Sequence, residues 1–465
     1  MYQLKSLEDT IVAISTPPGQ GGIGIVRISG KQSLEIADQL FVAKNGTKPS
    51  SFKSFTTHYG EVINRSKKEV IDEALMTLMR APKSYTKEDI VEISCHGGNV
   101  SVRMILMLAA ELGARLAEPG EFTKRAFLNG RIDLAQAEAV LDVIQAKTEA
   151  FLQISSHQLK GDLSTELENI RKQLMDIYTE MEAIVNFPED DIDYDAGASL
   201  QKKIQCAKER VDALLRTSEH GKILKDGIKI VFCGKSNVGK SSLLNALLKT
   251  PRAIVSEVPG TTRDTIEETA QIKGVPFQLI DTAGILEPRD LIEEEAVKRS
   301  HEMIARADLV LFVFDSGREI TKEDEILMQS INGKNVVAIL NKCDLVQKIN
   351  ENKIQENYKD LKVLKVSALK RLGIDDLEEA IVESIWHDKA VDTHGLVVSN
   401  MRHIHALKNC RVSLEEGQKI LKNSISLEFV SEEIKIAVNY LDSITGRNID
   451  ADLLDTIFSQ FCIGK

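Results

Sequence analysis

Apolar residues recur along this chain with two different spacings, and the change between them predicts different kinds of structure. From Asp133 onward the intervals are mostly three and four residues, the repeat of an amphipathic helix. The positions that carry this repeat are Leu134, Leu141, Ile144, Leu163, Leu167, Ile170, Leu174, Ile177, Met181 and Ile184. Proline and clustered acidic residues end the run at Phe187–Asp191. Such a stripe fits either a coiled-coil dimer or a helical bundle, and the bundle is the commoner outcome.

Short β-rich runs on either side of this stretch indicate two further domains. Between Asp9 and about Leu116, runs such as Ile23–Ile28 and Ile90–Ser94 are punctuated by glycine and proline, which predicts a small α+β domain. Between Gly227 and about Trp386, apolar strands alternate with helical segments, the order of an α/β domain with a mainly parallel sheet. Its predicted strands are Ile228–Cys233, Phe277–Ile280, Leu309–Phe314, Val336–Leu340 and Val363–Val366.

Helical periodicity resumes after the α/β region, in Met401–Leu421, Ser431–Leu441 and Ile449–Phe461. The simplest account is one helical domain interrupted by an inserted α/β domain. We therefore predict a multidomain fold, α/β plus α-helical, with segments 1–120, 121–222, 223–385 and 386–465.

Composition narrows the class of protein but not its function. The chain has 59 Lys+Arg against 70 Asp+Glu, a formal charge of -11, so a surface that is basic throughout is excluded and any RNA contact must use a local patch. Its six cysteines are scattered without a Cys-x-x-Cys pair, which indicates neither zinc ligation nor a dithiol site. No secretory signal or membrane-length apolar run is visible, so we expect a cytoplasmic protein.

A glycine-rich loop after the first α/β strand carries the strongest chemical signal. The run from Gly234 to Ser241 reads GKSNVGKS, a phosphate-binding loop between a strand and a helix. Lys240 is expected to reach the β- and γ-phosphates, and the Ser241 hydroxyl to bind Mg²⁺. The predicted phosphate-contacting residues are Asn237, Val238, Gly239, Lys240, Ser241 and Ser242.

Three further motifs follow in the order that a guanine-nucleotide site requires. Asp281-Thr282-Ala283-Gly284 ends a strand, where the aspartate can hold Mg²⁺ through water and the glycine can meet the γ-phosphate. Asn341-Lys342-Cys343-Asp344 ends another, and Asp344 can accept hydrogen bonds from the N1–H and 2-amino groups of guanine. Ser367-Ala368 would contact the guanine O6. Adenine offers no such pair of donors, so the sequence predicts a guanine nucleotide.

The segment between these motifs predicts a switch, and one position in it raises a difficulty. Gly260–Asp264 includes Thr262, which can complete the Mg²⁺ shell; a polar surface loop is the alternative. The residue after the Asp-x-x-Gly element is Ile285, which cannot orient a water molecule as the glutamine of Ras-like proteins does there. An acidic run, Glu293–Glu295, is a candidate for that role, although it also fits a solvated helix start.

Several blocks together resemble the MnmE (TrmE) family of tRNA-modification GTPases over essentially the full length of the chain. They are the four GTPase motifs GKSNVGKSS, PGTTRD, DTAG and NKCD, the N-terminal DTIVAISTPPGQGGIGIVRISG, the internal GEFTKRAFLNGRIDLAQAEAV and the terminal CIGK. The resemblance implies a folate-binding, dimerising N-terminal domain, a helical domain and an inserted GTPase domain that dimerises with K⁺.

The resemblance also implies roles for individual residues. K⁺ would be bound by Asn237, Ser256, Val258 and Thr261, with Ser256 and Thr261 also close to the nucleotide. Catalytic roles fall on Lys240, Arg263, Asp264, Glu293 and Cys462, with Glu293 as the residue that positions water. A tetrahydrofolate derivative, 5-formyl- or 5,10-methylene-tetrahydrofolate, would contact Arg27, Glu92, Arg131 and Lys465.

The implied reaction adds a carboxymethylaminomethyl or aminomethyl group to C5 of the tRNA wobble uridine. It would need an FAD-dependent partner, MnmG (GidA), a folate one-carbon unit, and GTP hydrolysis with Mg²⁺ and K⁺ in a homodimer. Two alternatives stay open: a ribosome-assembly GTPase, which usually carries a basic RNA-binding module, and a nucleotide-gated scaffold that does not turn over.

Overall fold

The structure of the chain is a computed structural model that describes residues 9–186, 196–248, 267–281, 303–351, 354, 361–385, 395–423 and 426–465. By contacts it divides into two compact units. One unit consists of Met1–Leu141, Gln158–Ala207 and Asn409–Lys465, and the other of Asp142–His157 and Lys208–Lys408. The predicted fold class is confirmed: an α+β domain, a helical domain and a P-loop domain with a mainly parallel sheet.

The N-terminal region, described without a gap from residue 9, is a seven-stranded sheet covered on one face by two helices. The sheet order is β3-β4-β5-β6-β2-β1-β7, and every neighbouring pair is antiparallel except β1 and β7. The elements are β1 (Ile11–Ile14), β2 (Ile23–Ser29), α1 (Ser33–Leu40), β3 (Phe41–Ala43), a 3-10 turn (Pro49–Ser51), β4 (Thr56–Asn64), β5 (Glu69–Met79), β6 (Ile90–His96), α2 (Asn99–Glu111) and β7 (Arg115–Leu116).

Residues alternate along the strands of this sheet, so the two faces differ in chemistry. Val26 and Ile28 of β2 and Val91 and Ile93 of β6 point into the apolar core beneath α1 and α2. Arg27 and Glu92, which pair across the same two strands, are only partly buried and belong to the opposite face. The sheet therefore carries a charged pair on the face opposite α1 and α2.

The first helical segment contains the apolar stripe predicted from the sequence. Its helices are α3 (Glu121–Leu128), α4 (Leu134–Gln145), α5 (Glu149–Lys160), α6 (Asp162–Asn186), α7 (Ala196–Arg216) and α8 (Ser218–Asp226). Along α6 the buried residues are Leu163, Leu167, Ile170, Leu174, Ile177 and Met181. Phe187–Asp191, where the run was predicted to end, lies outside the described residues.

The inserted α/β domain has six described strands in the order β13-β12-β11-β8-β10-β9, with β9 antiparallel and the others parallel. Its elements are β8 (Ile228–Cys233), α9 (Lys240–Leu248), β9 (Glu267–Ile272), β10 (Val275–Asp281), β11 (Leu309–Asp315), α10 (Lys322–Ser330), β12 (Val336–Asn341), β13 (Lys362–Val366) and α11 (Ile374–Ile385). Because the strands run parallel, the carboxyl ends of β8, β10, β11, β12 and β13 meet at one edge, where ligands bind in such folds.

Three helices follow the inserted domain: α12 (Met401–Lys422), α13 (Leu427–Thr445) and α14 (Ala451–Ser459). Helix α13 packs along α6, and an ion pair joins Arg171 Nε to Asp442 Oδ1 at 2.6 Å. Segments from both sides of the insertion thus pack in one helical bundle. Of the two alternatives for the apolar stripe on α6, a coiled-coil dimer or a bundle, the structure has the bundle. Among the described residues, no helix is both long and apolar enough to cross a membrane.

Candidate functional site

The loop between β8 and α9 has the backbone conformation of a phosphate cradle. Gly234, Asn237 and Gly239 have φ values of 139°, 64° and 98°, a region that favours glycine and that asparagine adopts more readily than most residues. A Cβ at Gly239 would collide with the side-chain amide of Asn341, and one at Gly234 with the carbonyl oxygen of Val313. The glycines of the motif are therefore required by contacts with β11 and β12.

Lys240 begins α9 and is nearly buried, with 4% of its surface exposed. Its Nζ donates to the carbonyl oxygens of Gly234 and Lys235 at 2.9 and 2.8 Å. The ammonium thus lies over the loop at the N-terminal end of a helix, where the backbone N–H groups and the helix dipole also favour an anion. Ser241 and Ser242 follow in the first turn of α9 and are exposed.

Asn341, the last residue of β12, connects the phosphate loop with the loop after β13. Its Nδ2 donates to the Val238 carbonyl at 2.8 Å, and its Oδ1 accepts from the Ala368 N–H at 3.2 Å. Since Asn341 is 2% exposed, these bonds also satisfy an amide that would otherwise be buried without partners. One side chain therefore fixes the distance between the predicted phosphate-binding and base-binding loops.

The two loops predicted to bind the guanine base lie side by side at this edge. Asp344 is exposed in the loop after β12, and the N–H of Cys343 donates to the Val366 carbonyl at 3.2 Å, which ties that loop to β13. Ser367 is fully buried and exchanges backbone hydrogen bonds with Leu372 at 3.0 and 3.1 Å. The structure thus brings together the phosphate loop, Asn341, Lys342, Asp344, Ser367 and Ala368.

Several predicted residues of this site lie outside the described residues. The backbone of Asp281 ends β10 and pairs with Phe232 of β8, one strand from the phosphate loop. The other predicted positions cannot be placed: they are Ser256, Val258, Thr261, Thr262, Arg263, Asp264, Thr282, Ala283, Gly284, Ile285 and Glu293–Glu295. Their assignment stays a prediction.

A second cluster lies on the face of the N-terminal sheet opposite α1 and α2, where the Arg27 Nε donates to Glu92 Oε1 at 2.7 Å. The Arg27 guanidinium also donates to the carbonyl oxygen of Gly464 at 3.2 Å. Both side chains are mostly buried, at 15% and 23% exposure. A contact between residues 437 positions apart therefore brings the C-terminal segment to the sheet.

Two aromatic rings in this cluster make cation–π contacts with its arginines. The Arg27 Cζ lies 5.7 Å from the centre of the Tyr85 ring and 5.6 Å from that of Phe122, and the Arg131 Cζ lies 4.7 Å from the Tyr85 ring. Burial, followed by the positive charge of Arg27, lowers the pKa of Lys465. The four residues predicted to bind folate thus lie in one cluster that contains three cationic side chains and the Glu92 carboxylate.

The C-terminal segment is docked through its backbone. The Gly464 carbonyl accepts from Ser15 Oγ at 3.2 Å, and the Gly120 N–H donates to the Cys462 carbonyl at 3.4 Å. Gly464 has a φ of 94°, and a Cβ there would collide with the Ile14 carbonyl oxygen. Cys462 itself is exposed and precedes Lys465 by one short turn.

Sequence reasoning missed Tyr85, Phe122 and Ser15 in this second cluster. An aromatic residue in a short loop and another in an amphipathic helix are ordinary packing residues in the sequence. Only the fold places Tyr85 between two arginines that are far apart in the chain.

Comparison with known proteins identifies the family. A model of the GTP-binding protein TrmE N-terminus matches residues 10–131, and a model of the MnmE helical domain matches residues 134–462. The relatives include two proteins named tRNA modification GTPase MnmE. The protein from Alkaliphilus oremlandii is 46% identical over 459 residues, 99% of this chain and 100% of that protein. The protein from Bacillus subtilis is 43% identical over 459 residues, 98% of this chain and 100% of that protein.

Among solved structures, the G domain of the T. maritima FeoB iron transporter is 29% identical, with a TM-score of 0.27. The match covers 34% of this chain and 98% of that one. The two family models match residues 10–131 and 134–462, and the named relatives match nearly the whole chain. The chain belongs to the MnmE family of tRNA modification GTPases and is a GTP hydrolase that acts in tRNA modification.

Proposed function

We propose that this protein is a K⁺-dependent GTPase that helps to modify C5 of the tRNA wobble uridine with a tetrahydrofolate one-carbon unit. It would act as a homodimer in the cytoplasm with an FAD-dependent partner, MnmG, and add a carboxymethylaminomethyl or aminomethyl group. We propose four segments: an N-terminal folate-binding domain (1–120), the first part of the helical domain (121–222), the GTPase domain (223–385) and the second part of the helical domain (386–465). The observation that carries this proposal is the cluster around Arg27 and Glu92.

The residues of that cluster fit a folate. Glu92 offers carboxylate oxygens to the amino and imino donors of a pterin, while Tyr85 and Phe122 offer flat apolar faces. Arg27, Arg131 and Lys465 would bind carboxylates, and the lowered pKa of Lys465 reflects burial and the crowding of positive charge that an anion would relieve. A bound folate would supply the one-carbon unit; the protein residues hold and orient it.

The phosphate loop fits a nucleotide with its metal ions. Backbone N–H groups and Lys240 would bind the phosphates, while Ser241, Thr262 and, through water, Asp281 would hold Mg²⁺. We propose K⁺ at Asn237, Ser256, Val258 and Thr261, where a cation neutralises charge that develops between the β- and γ-phosphates. Arg263 and Asp264 would belong to the same switch, and Glu293 would position the attacking water in place of a glutamine at 285.

Titration of the full-length chain with 5-formyl-tetrahydrofolate tests the folate site. We expect Glu92→Gln to weaken binding about tenfold, because the variant loses a charged acceptor that pairs with Arg27 and would bind the pterin donors. Glu61→Gln is the matched control, since Glu61 also pairs with a cation on this sheet, Lys44 at 3.3 Å, but lies on β4. Equal affinities in wild type and Glu92→Gln would contradict the site.

A second prediction concerns the docked C-terminal segment. We expect Gly464→Ala to weaken folate binding by about tenfold or more, because a collision with the Ile14 carbonyl would displace Lys465. The GTP hydrolysis rate should stay within about twofold, since the phosphate loop belongs to the other compact unit.

Gly46→Ala is the control for backbone strain in that experiment. Gly46 also has a positive φ, 70°, but no described atom lies within 4 Å of an added Cβ. If both alanine variants weaken folate binding equally, general destabilisation rather than undocking explains the loss.

A further inference from the structure

A buried carboxylate that no nucleotide motif includes contacts the loop predicted to bind guanine. Asp315 is the last residue of β11 and pairs with Asn341 of β12 in the sheet. Its Oδ2 accepts from Lys342 Nζ at 2.7 Å, and its Oδ1 accepts from the Gly317 N–H at 2.9 Å. Only 8% of the side chain is exposed. The carboxylate is therefore held in one orientation by two donors, one of them charged.

The same lysine reaches the phosphate loop. Lys342 Nζ donates a second hydrogen bond, at 2.8 Å, to the carbonyl oxygen of Asn237. Both Lys342 and Asn237 have left-handed backbone conformations, with φ values of 63° and 64°. Such conformations are costly for residues other than glycine and persist where surrounding contacts hold them. The contact between these two residues is such a constraint.

We propose that Asp315 is a positioning residue for guanine-nucleotide binding, which acts by holding Lys342 against the Asn237 carbonyl and so presets the phosphate loop. The inference rests on the proposed role of Lys342 and Asn237 in the nucleotide site. Burial raises the pKa of Asp315, but the hydrogen bonds from Lys342 and Gly317 outweigh it and keep the pKa below its usual value. The carboxylate is thus charged at neutral pH and available to hold the ammonium.

Without the charge on Asp315, Lys342 would be free to leave the loop, since 32% of its side chain is already exposed. Ordering a lysine side chain again on binding would cost rotamer entropy, and the Asn237 carbonyl would lose its donor. We expect Asp315→Asn to raise the dissociation constants for GDP and a non-hydrolysable GTP analogue about tenfold. The hydrolysis rate at saturating GTP should change less than about twofold, because Asp315 does not touch the reacting atoms.

A double-mutant cycle in the full chain tests this route of action, with affinities measured by fluorescence of labelled nucleotides. In the Lys342→Ala background, Asp315→Asn should have no further effect, because the partner through which it acts is gone. Arg318→Ala is the control: its Nε lies 3.6 Å from the same Asp315 oxygen, but the side chain is 67% exposed. That variant should bind nucleotide like wild type.

The measurements distinguish a failure of the Asp315 proposal from a failure of the proposed nucleotide role of Lys342. If Asp315→Asn weakens binding as much in the Lys342→Ala background as in wild type, or if the hydrolysis rate falls with affinity, Asp315 has only a general structural role and the inference is wrong. If Lys342→Ala itself leaves nucleotide affinity unchanged, the proposed nucleotide role of Lys342 fails first. Thermal unfolding of each variant separates both results from misfolding.

Discussion

Lys240→Ala is expected to lower kcat/KM for GTP hydrolysis by about 100- to 1000-fold. The ammonium lies over the phosphate loop, where it donates to the carbonyl oxygens of Gly234 and Lys235. Alanine keeps the helix start but removes the charge that would stabilise the phosphates in the transition state. A steady-state phosphate-release assay with K⁺ and Mg²⁺ measures the effect.

The matched control for this variant is Lys229→Ala. Lys229 belongs to β8, the strand that leads into the loop, but its side chain is exposed and contributes nothing to the site. Its hydrolysis rate should equal that of wild type. A Lys240→Ala protein that folds and retains a rate within about threefold of wild type would remove Lys240 from the mechanism.

Asp344→Asn is expected to change the base preference of the site from guanine to xanthine. The carboxylate offers two acceptors to the N1–H and 2-amino donors of guanine, whereas an asparagine amide offers one acceptor and one donor. Xanthine presents an N1–H and a C2 carbonyl, which match that pair. We expect GTP affinity to fall about 100-fold or more and XTP to become the preferred nucleotide.

Competition between GTP, XTP and ATP for the variant measures this exchange directly. Asp376→Asn is the control, because Asp376 is an exposed carboxylate in the first turn of α11. Loss of affinity for every nucleotide, with no gain for XTP, would show that Asp344 supports the loop rather than reads the base.

The inserted domain was predictable because its central strands β8, β11 and β12 are buried on both faces and have nearly continuous apolar sequences. Ile228–Cys233 was predicted with the bounds that β8 has, and the predicted ends of β11 and β12 differ from the observed ends by one residue. The stripe from Leu163 to Met181 identified α6 for a similar reason, since each apolar position faces the bundle. Regular burial therefore leaves a recognisable pattern of apolar residues in the sequence, continuous in these strands and periodic in α6.

Other elements left little signal. Strands β4 and β5 alternate between buried and exposed positions, but apolar residues such as Tyr59 and Leu75 occupy exposed positions. The sequence therefore does not follow the alternation of burial, and these strands were not predicted individually. Strand β9 is rich in glutamate and was not predicted either. These strands are specified by pairing with neighbours, which a single sequence does not contain.

The phosphate loop and the cluster around Arg27 also differ in how far the sequence alone could predict them. The phosphate loop is contiguous in sequence, so its residue types and spacing carry the chemistry. The cluster around Arg27 joins β2, β6, the Tyr85 loop and the C-terminus, and only the resemblance to a family pointed to Glu92, Arg131 and Lys465. Asp315 was missed because an acidic residue at the end of a strand is common, and only its contact with Lys342 distinguishes it.

We propose that GTP hydrolysis by this chain serves modification of the tRNA wobble uridine. Nucleoside analysis of tRNA from a strain that lacks the protein, complemented by wild type or by Lys240→Ala, tests it most directly. We predict that the C5-modified uridines disappear, return with wild type and stay absent with the variant. Modified uridines at normal levels in the deletion strain would contradict the claim.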